Sequence, residues 1–142
     1  MADSLKARPE FRNIHISQIA SYRLPPAGIV SILHRASGAL MFILLPFIIW
    51  MFDTSVTSEI TYGQFTSVFH AGTGLIPGWF YKLVALALIW ASLHHLIAGL
   101  RHLWMDVSHE AVSKEFGRAS AQFTLAVSVL ITLALGAKLF FF

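Results

Sequence analysis

The sequence predicts an all-α integral membrane protein with three transmembrane helices, and three observations carry that prediction. Hydrophobic residues make up 56% of the 142 residues and charged residues only 12%, against roughly 45–50% and about 25% in soluble domains. The apolar residues are concentrated in three runs, 29–52, 80–104 and 119–141. Each run exceeds the roughly 20 residues that a helix needs to cross the hydrocarbon core. Lipid obliges backbone N–H and C=O groups to pair within their own segment, which a helix does. Residues 1–142 thus read as a single membrane domain.

Residues 1–28 form a polar lead-in without the apolar stretch of a cleavable signal, so membrane targeting is expected to rest on the first span. Within it, 15–22 is expected to form a short interfacial helix, broken by Leu24-Pro25-Pro26-Ala27-Gly28. The first span opens on Ser31, His34, Arg35, Ser37 and Gly38, then runs apolar to Phe52, with a kink expected at Pro46. The stretch 53–78, rich in Gly, Thr and Ser, reads as a loop, and Trp79 with Tyr81 as an interfacial belt. The second span runs back and ends in the segment from His94 to Asp106, where Asp106 is expected to cap the helix or pair with Arg101. The third offers Ser128, Ala134, Gly136 and Ala137 for close helix contact and Lys138 for snorkelling, and reads as scaffold.

Charge sets the topology. The lead-in carries Lys6, Arg8, Arg12 and Arg23, and the second loop Lys114 and Arg118, whereas the first loop carries Asp53 and Glu59 and no Lys or Arg. The positive-inside rule puts the N-terminus and second loop in the cytoplasm and the C-terminus outside. The net charge of +3 is then mostly topology and calls for no nucleic-acid partner. The N-terminus is not Arg- and Ser-rich and acid-free, which favours a bacterial inner membrane over a mitochondrial one. Cysteine is absent. The chain therefore supplies no thiolate to an iron–sulfur cluster and no Cys-x-x-Cys-His for covalent haem, so any haem would be of b type.

Ionisable groups inside a bilayer are expensive, which makes each one a candidate for function. His95, Gly99 and His102 are spaced i, i+4, i+7 on one helix face, with a glycine where a flat ring could approach a histidine. His94 points about 100° away from His95, so the two cannot readily share one iron. Two readings stand: haem ligation by one of them, or hydrogen bonding that packs the bundle. Arg101 and His102, near the headgroups, are expected to snorkel. Ser31, His34 and Arg35 fall at i, i+3, i+4. Haem propionates, a quinone carbonyl, a lipid phosphate and a partner's carboxylate all suit that arginine. His34 and Arg35 lie roughly 9–11 Å from the inner face and His95 roughly 13–14 Å, so one pocket between antiparallel helices could hold them all. His15, His70 and His109 lie outside the spans and receive no role.

Together, Arg8-Pro9, then Ser31-Ile-Leu-His34-Arg35-x-Ser37-Gly38, then His95-x3-Gly99-Leu-Arg101-His102-x3-Asp106 resembles the cytochrome b556 membrane-anchor subunits of succinate dehydrogenase. The resemblance runs from about residue 8 to Asp106; the third span matches only in kind. It implies that His95 is the axial ligand of a haem b, so that the metal is the haem iron. A histidine of a second anchor subunit would supply the other ligand and complete the bundle. It further implies that Ser31 and Arg35 bind the quinone, taken as ubiquinone, and that His34 and Arg35 approach the haem propionates. The expected partners are a flavoprotein that oxidises succinate, an iron–sulfur protein, the second anchor and the lipid bilayer. A fumarate reductase anchor, or a structural membrane protein without redox function, are the other readings.

Overall fold

The computed structural model describes residues 13–141, so the Arg8-Pro9 pair lies outside the described residues. Helix α1, Ile16–Ser21, is short and closed at its start by His15, whose ring accepts from the Ser17 amide while the Gln18 side chain returns to the His15 amide. Pro25 and Pro26 cannot donate to a continuing helix. Pro26 instead occupies the first turn of α2, Pro26–Ile43, where a missing N–H costs nothing. The lead-in therefore contains the short helix that its sequence predicts, but it ends at Ser21, ahead of Leu24, and Pro26, Ala27 and Gly28 lie inside α2 rather than before it.

The first apolar run is not one helix. α2 stops at Ile43, Leu44 leaves helical geometry at ψ 7°, and α3, Leu45–Val56, begins afresh. The cause is Pro46, whose ring conflicts with the carbonyl of Phe42 and which offers no N–H to it. The expected kink is thus a full break two residues upstream. The stretch read as a loop also holds a helix, α4, Glu59–His70, opened by a capping pair between Ser58 and Thr61. Its Phe65, Val68 and Phe69 fall at i, i+3, i+4 and turn inward. A tight turn follows, with positive φ at Gly72 and Gly74.

Helix α5, Gly78–Val107, and helix α6, Lys114–Phe141, are 30 and 28 residues long. At 1.5 Å per residue both exceed the hydrocarbon thickness and reach into the interfaces. A 3-10 turn, Glu110–Val112, joins them. With α2 they are, among the described residues, the three helices long and apolar enough to cross a membrane.

α2, α5 and α6 pack against one another in pairs. The seam on α6 is a stripe of small residues, Gly117, Ala121, Thr124, Ser128, Thr132 and Gly136, all buried. The facing stripe on α5 is Leu88, Ala91, His94, Ala98 and Arg101. Small residues let backbones approach closely in lipid, where van der Waals contact replaces the hydrophobic drive. Ser128 and Gly136 therefore do what their types predict, whereas Ala134 and Ala137 face outward. The bundle's centre is Val30, Ala98 and Ala121, one from each helix. Beyond the break, α3 packs on α4, and α4 on α5, while among the described residues the α3 backbone stands off both α5 and α6.

Candidate functional site: a histidine cluster between two spans

The two adjacent histidines separate as helical geometry demands, one toward each neighbouring helix. His94 is fully buried against α6, its Nδ1 3.2 Å from the Ser128 hydroxyl and its ring stacked on Trp90 at 5.5 Å. Its Nε2 is buried without a partner among the described residues. His95 faces α2. Its Nδ1 lies 3.0 Å from the carbonyl oxygen of His34 and 3.2 Å from the hydroxyl of Ser37, which itself donates to the same carbonyl at 2.8 Å.

That carbonyl decides the tautomer. It can only accept, so the proton of His95 sits on Nδ1 and Nε2 keeps its lone pair. A ring held by Nδ1–H on a backbone carbonyl with Nε2 free is the usual state of a metal-ligating histidine. Among the described residues no cluster of three or more His, Cys, Asp or Glu could cage a bare metal ion. An iron at His95 would have to arrive in a group that brings its own ligands, and a haem does so. The donor set therefore fits a haem.

Space around His95 is shaped by glycine and by a second imidazole. A Cβ on Gly38 would come 2.9 Å from Cε1 of His95, so only glycine lets the edge of this ring approach α2 so closely. The His34 ring stacks on His95 at 4.1 Å with planes 20° apart, and His102 approaches His34 at 5.1 Å. The gap beside Gly99, expected to admit a flat ring, holds the His34 imidazole, with Nε2 3.5 Å from where a Cβ would lie.

Ser31 and Arg35 lie on α2 one turn apart, Ser31 half-buried and Arg35 exposed. The described residues leave that face uncovered beside the histidine cluster. Two expectations fail nearby. Arg101 does not snorkel: it is 8% exposed, and its guanidinium donates to the Ser120 hydroxyl at 2.9 Å and the Gly117 carbonyl at 3.1 Å. Those bonds clamp the inner ends of α5 and α6, so Arg101 turns to α6 and not to Asp106. His102 is half-buried against His34 and does not stand free at the headgroups. Conversely, Ser37 carries more weight than its sequence reading gave it. It is fully buried and touches both His34 and His95, and the available signal was its place three residues after His34.

Residues 8–135 match the family described as Succinate dehydrogenase/Fumarate reductase transmembrane subunit. The chain is also 31% identical over 119 residues to the succinate dehydrogenase cytochrome b556 subunit of Coxiella burnetii (strain RSA 493 / Nine Mile phase I), covering 83% of this chain and 89% of that protein. It is 31% identical over 110 residues to the corresponding subunit of Paracoccus denitrificans, covering 78% of each. With three spanning helices and a match over most of its length, the chain belongs to the family of succinate dehydrogenase/fumarate reductase transmembrane subunits.

Proposed function

We propose that this subunit binds a haem b and a quinone, and that it passes electrons from a partner iron–sulfur protein to ubiquinone in a bacterial inner membrane, with its N-terminus cytoplasmic. The observation that carries the reading is the His95 ring, tethered through Nδ1 to the His34 carbonyl and Ser37 with Nε2 left to ligate. The name of both bacterial relatives, cytochrome b556 subunit, supports a haem of b type. Such a group would supply a one-electron redox centre within the membrane. His95 would hold the iron from this chain, and a histidine of a second anchor subunit would hold it from the other side. His34 and Arg35 would lie toward the propionates.

The quinone would sit on the uncovered face of α2. The Ser31 hydroxyl donates a hydrogen bond to one quinone carbonyl, and the Arg35 guanidinium, one turn away, counters the negative charge that grows there on reduction. Two electrons and two protons make the quinol. The electrons arrive one at a time from the iron–sulfur partner, after a flavoprotein has oxidised succinate. No thiolate ligand is available on this chain, in keeping with that division of labour.

Reduced-minus-oxidised spectra and steady-state kinetics of the purified complex test both roles. His95→Ala is expected to remove the b-type absorbance while His94→Ala keeps it, and a full haem content in His95→Ala ends the ligand assignment. Arg35→Ala is expected to lower kcat/KM for ubiquinone by roughly 10- to 100-fold, the worth of a charge-assisted hydrogen bond. The family description spans both directions of the reaction. Comparing succinate–ubiquinone with quinol–fumarate activity decides between them.

A further inference from the structure

The break at Leu44 opens a cleft on the α4 side of the molecule, which runs along α5 from Lys82 to Leu93, the residue before His94. Because α3 leaves the bundle and packs on α4, a space of about 700 Å³ remains between α3 and the pair α5 and α6, with α4 across it. Its walls are apolar, among them Ile48 and Met51 of α3, Phe69 of α4 and Leu93 of α5. From Lys82 to Leu93 it follows α5 for about 16 Å, half the thickness of the hydrocarbon core. None of Ser31, His34, Arg35 and His95 lines it.

Its mouth is cationic. Among the described Lys and Arg residues, only Lys82 and Lys138 lie toward this end of the spans, and both line the cleft. The positive-inside rule disfavours basic residues there, so their convergence needs a cause other than topology. Among the described residues no Asp or Glu lines the cleft with them. The Lys82 ammonium rests over the Phe140 ring at 5.7 Å, which positions it without neutralising it.

We propose that the cleft is a binding site for one phospholipid with an anionic headgroup, in the leaflet that holds α4. An acyl chain fills the apolar channel, which has the length of one leaflet, and the phosphate lies between Lys82 and Lys138. A quinone fits less well, because below the two lysines the donors in the cleft are already used. The Ser92 hydroxyl donates to the Met41 sulfur at 3.4 Å, and His70 Nδ1 is bonded to the Thr66 carbonyl at 2.9 Å. The site is independent of the haem and quinone roles.

Native mass spectrometry of the purified complex tests it. The double variant Lys82→Gln/Lys138→Gln is expected to lose one tightly held anionic phospholipid that the parent retains, while Lys114→Gln, at the other end of the bundle, retains it. Should the double variant fail to assemble, the parent decides. Stripped of lipid, it is expected to gain thermal stability from phosphatidylglycerol and not from phosphatidylcholine, and Ala85→Phe, which fills the cleft without altering charge, is expected to abolish that gain. Equal anionic lipid in parent and double variant, an equal response to the two lipids, or a quinone recovered from the cleft overturns the proposal.

Discussion

His94 and His95 are one residue apart, and that step of about 100° gives them opposite roles in the packing. Periodicity in the sequence foretold the divergence but not what each ring would meet, because those contacts come from other helices: Ser128 for His94, and Ser37 with the His34 carbonyl for His95. Arg101 was illegible for the same reason. Its partners Gly117 and Ser120 reach it only because the turn at Glu110–Val112 folds α6 back. Gly38 tests how firmly the ring of His95 is held. In Gly38→Ala the new methyl would meet Cε1 at 2.9 Å, and a ring fixed through Nδ1 cannot swing aside freely. Overpacking of this kind costs about 1–3 kcal/mol. The complex is expected to assemble with less haem, and with a shifted midpoint potential in the haem that remains. Parental haem content and potential in that variant would show that the ring is not constrained by α2.

At the scale of elements, composition and run length were enough for three spans, because lipid leaves the backbone few alternatives. They misjudged the outer half of the first run. A proline in an apolar run signals disruption, but whether the helix bends or restarts depends on what the freed segment can pack against. Here that partner is α4, hidden in a stretch rich in Gly, Thr and Ser whose capping pair and inward Phe65, Val68 and Phe69 were its only signals. The join between α4 and α5 can be probed at Gly78, which is buried. A Cβ there would come 2.7 Å from the carbonyl oxygens of both Phe69 and His70, and these backbone atoms close α4 and cannot turn away as a side chain can. Gly78→Ala is expected to lower stability by about 1–3 kcal/mol, read as a fall in the thermal midpoint of the complex. The b-type spectrum should persist, since the histidines lie toward the other end of α5. Loss of the spectrum with an unchanged midpoint would contradict that separation.

The whole molecule is a subunit, and its own physical chemistry leaves surface for partners to cover. Three helices can cover one another along single stripes only, and the remaining surface includes Phe42, Ile43, Phe123 and Leu133, each more than 60% exposed. Lipid can cover those side chains. It cannot cover Arg35, exposed on a span close to the histidine cluster, without a phosphate or a polar partner. The haem reading points the same way. On that reading His95 would hold the haem iron from this chain, and the imidazole nearest to it, His34, lies stacked on the same ring. Expressed alone and purified in mild detergent, the chain is expected to be helical by circular dichroism yet to show little or no b-type absorbance when reduced. Co-expression with the second anchor subunit is expected to restore the absorbance, and Arg35→Ala should weaken that recovery less than His95→Ala does. A full reduced spectrum from the chain alone would mean that one histidine and the bundle suffice to hold the haem, and the shared site would then have to be given up.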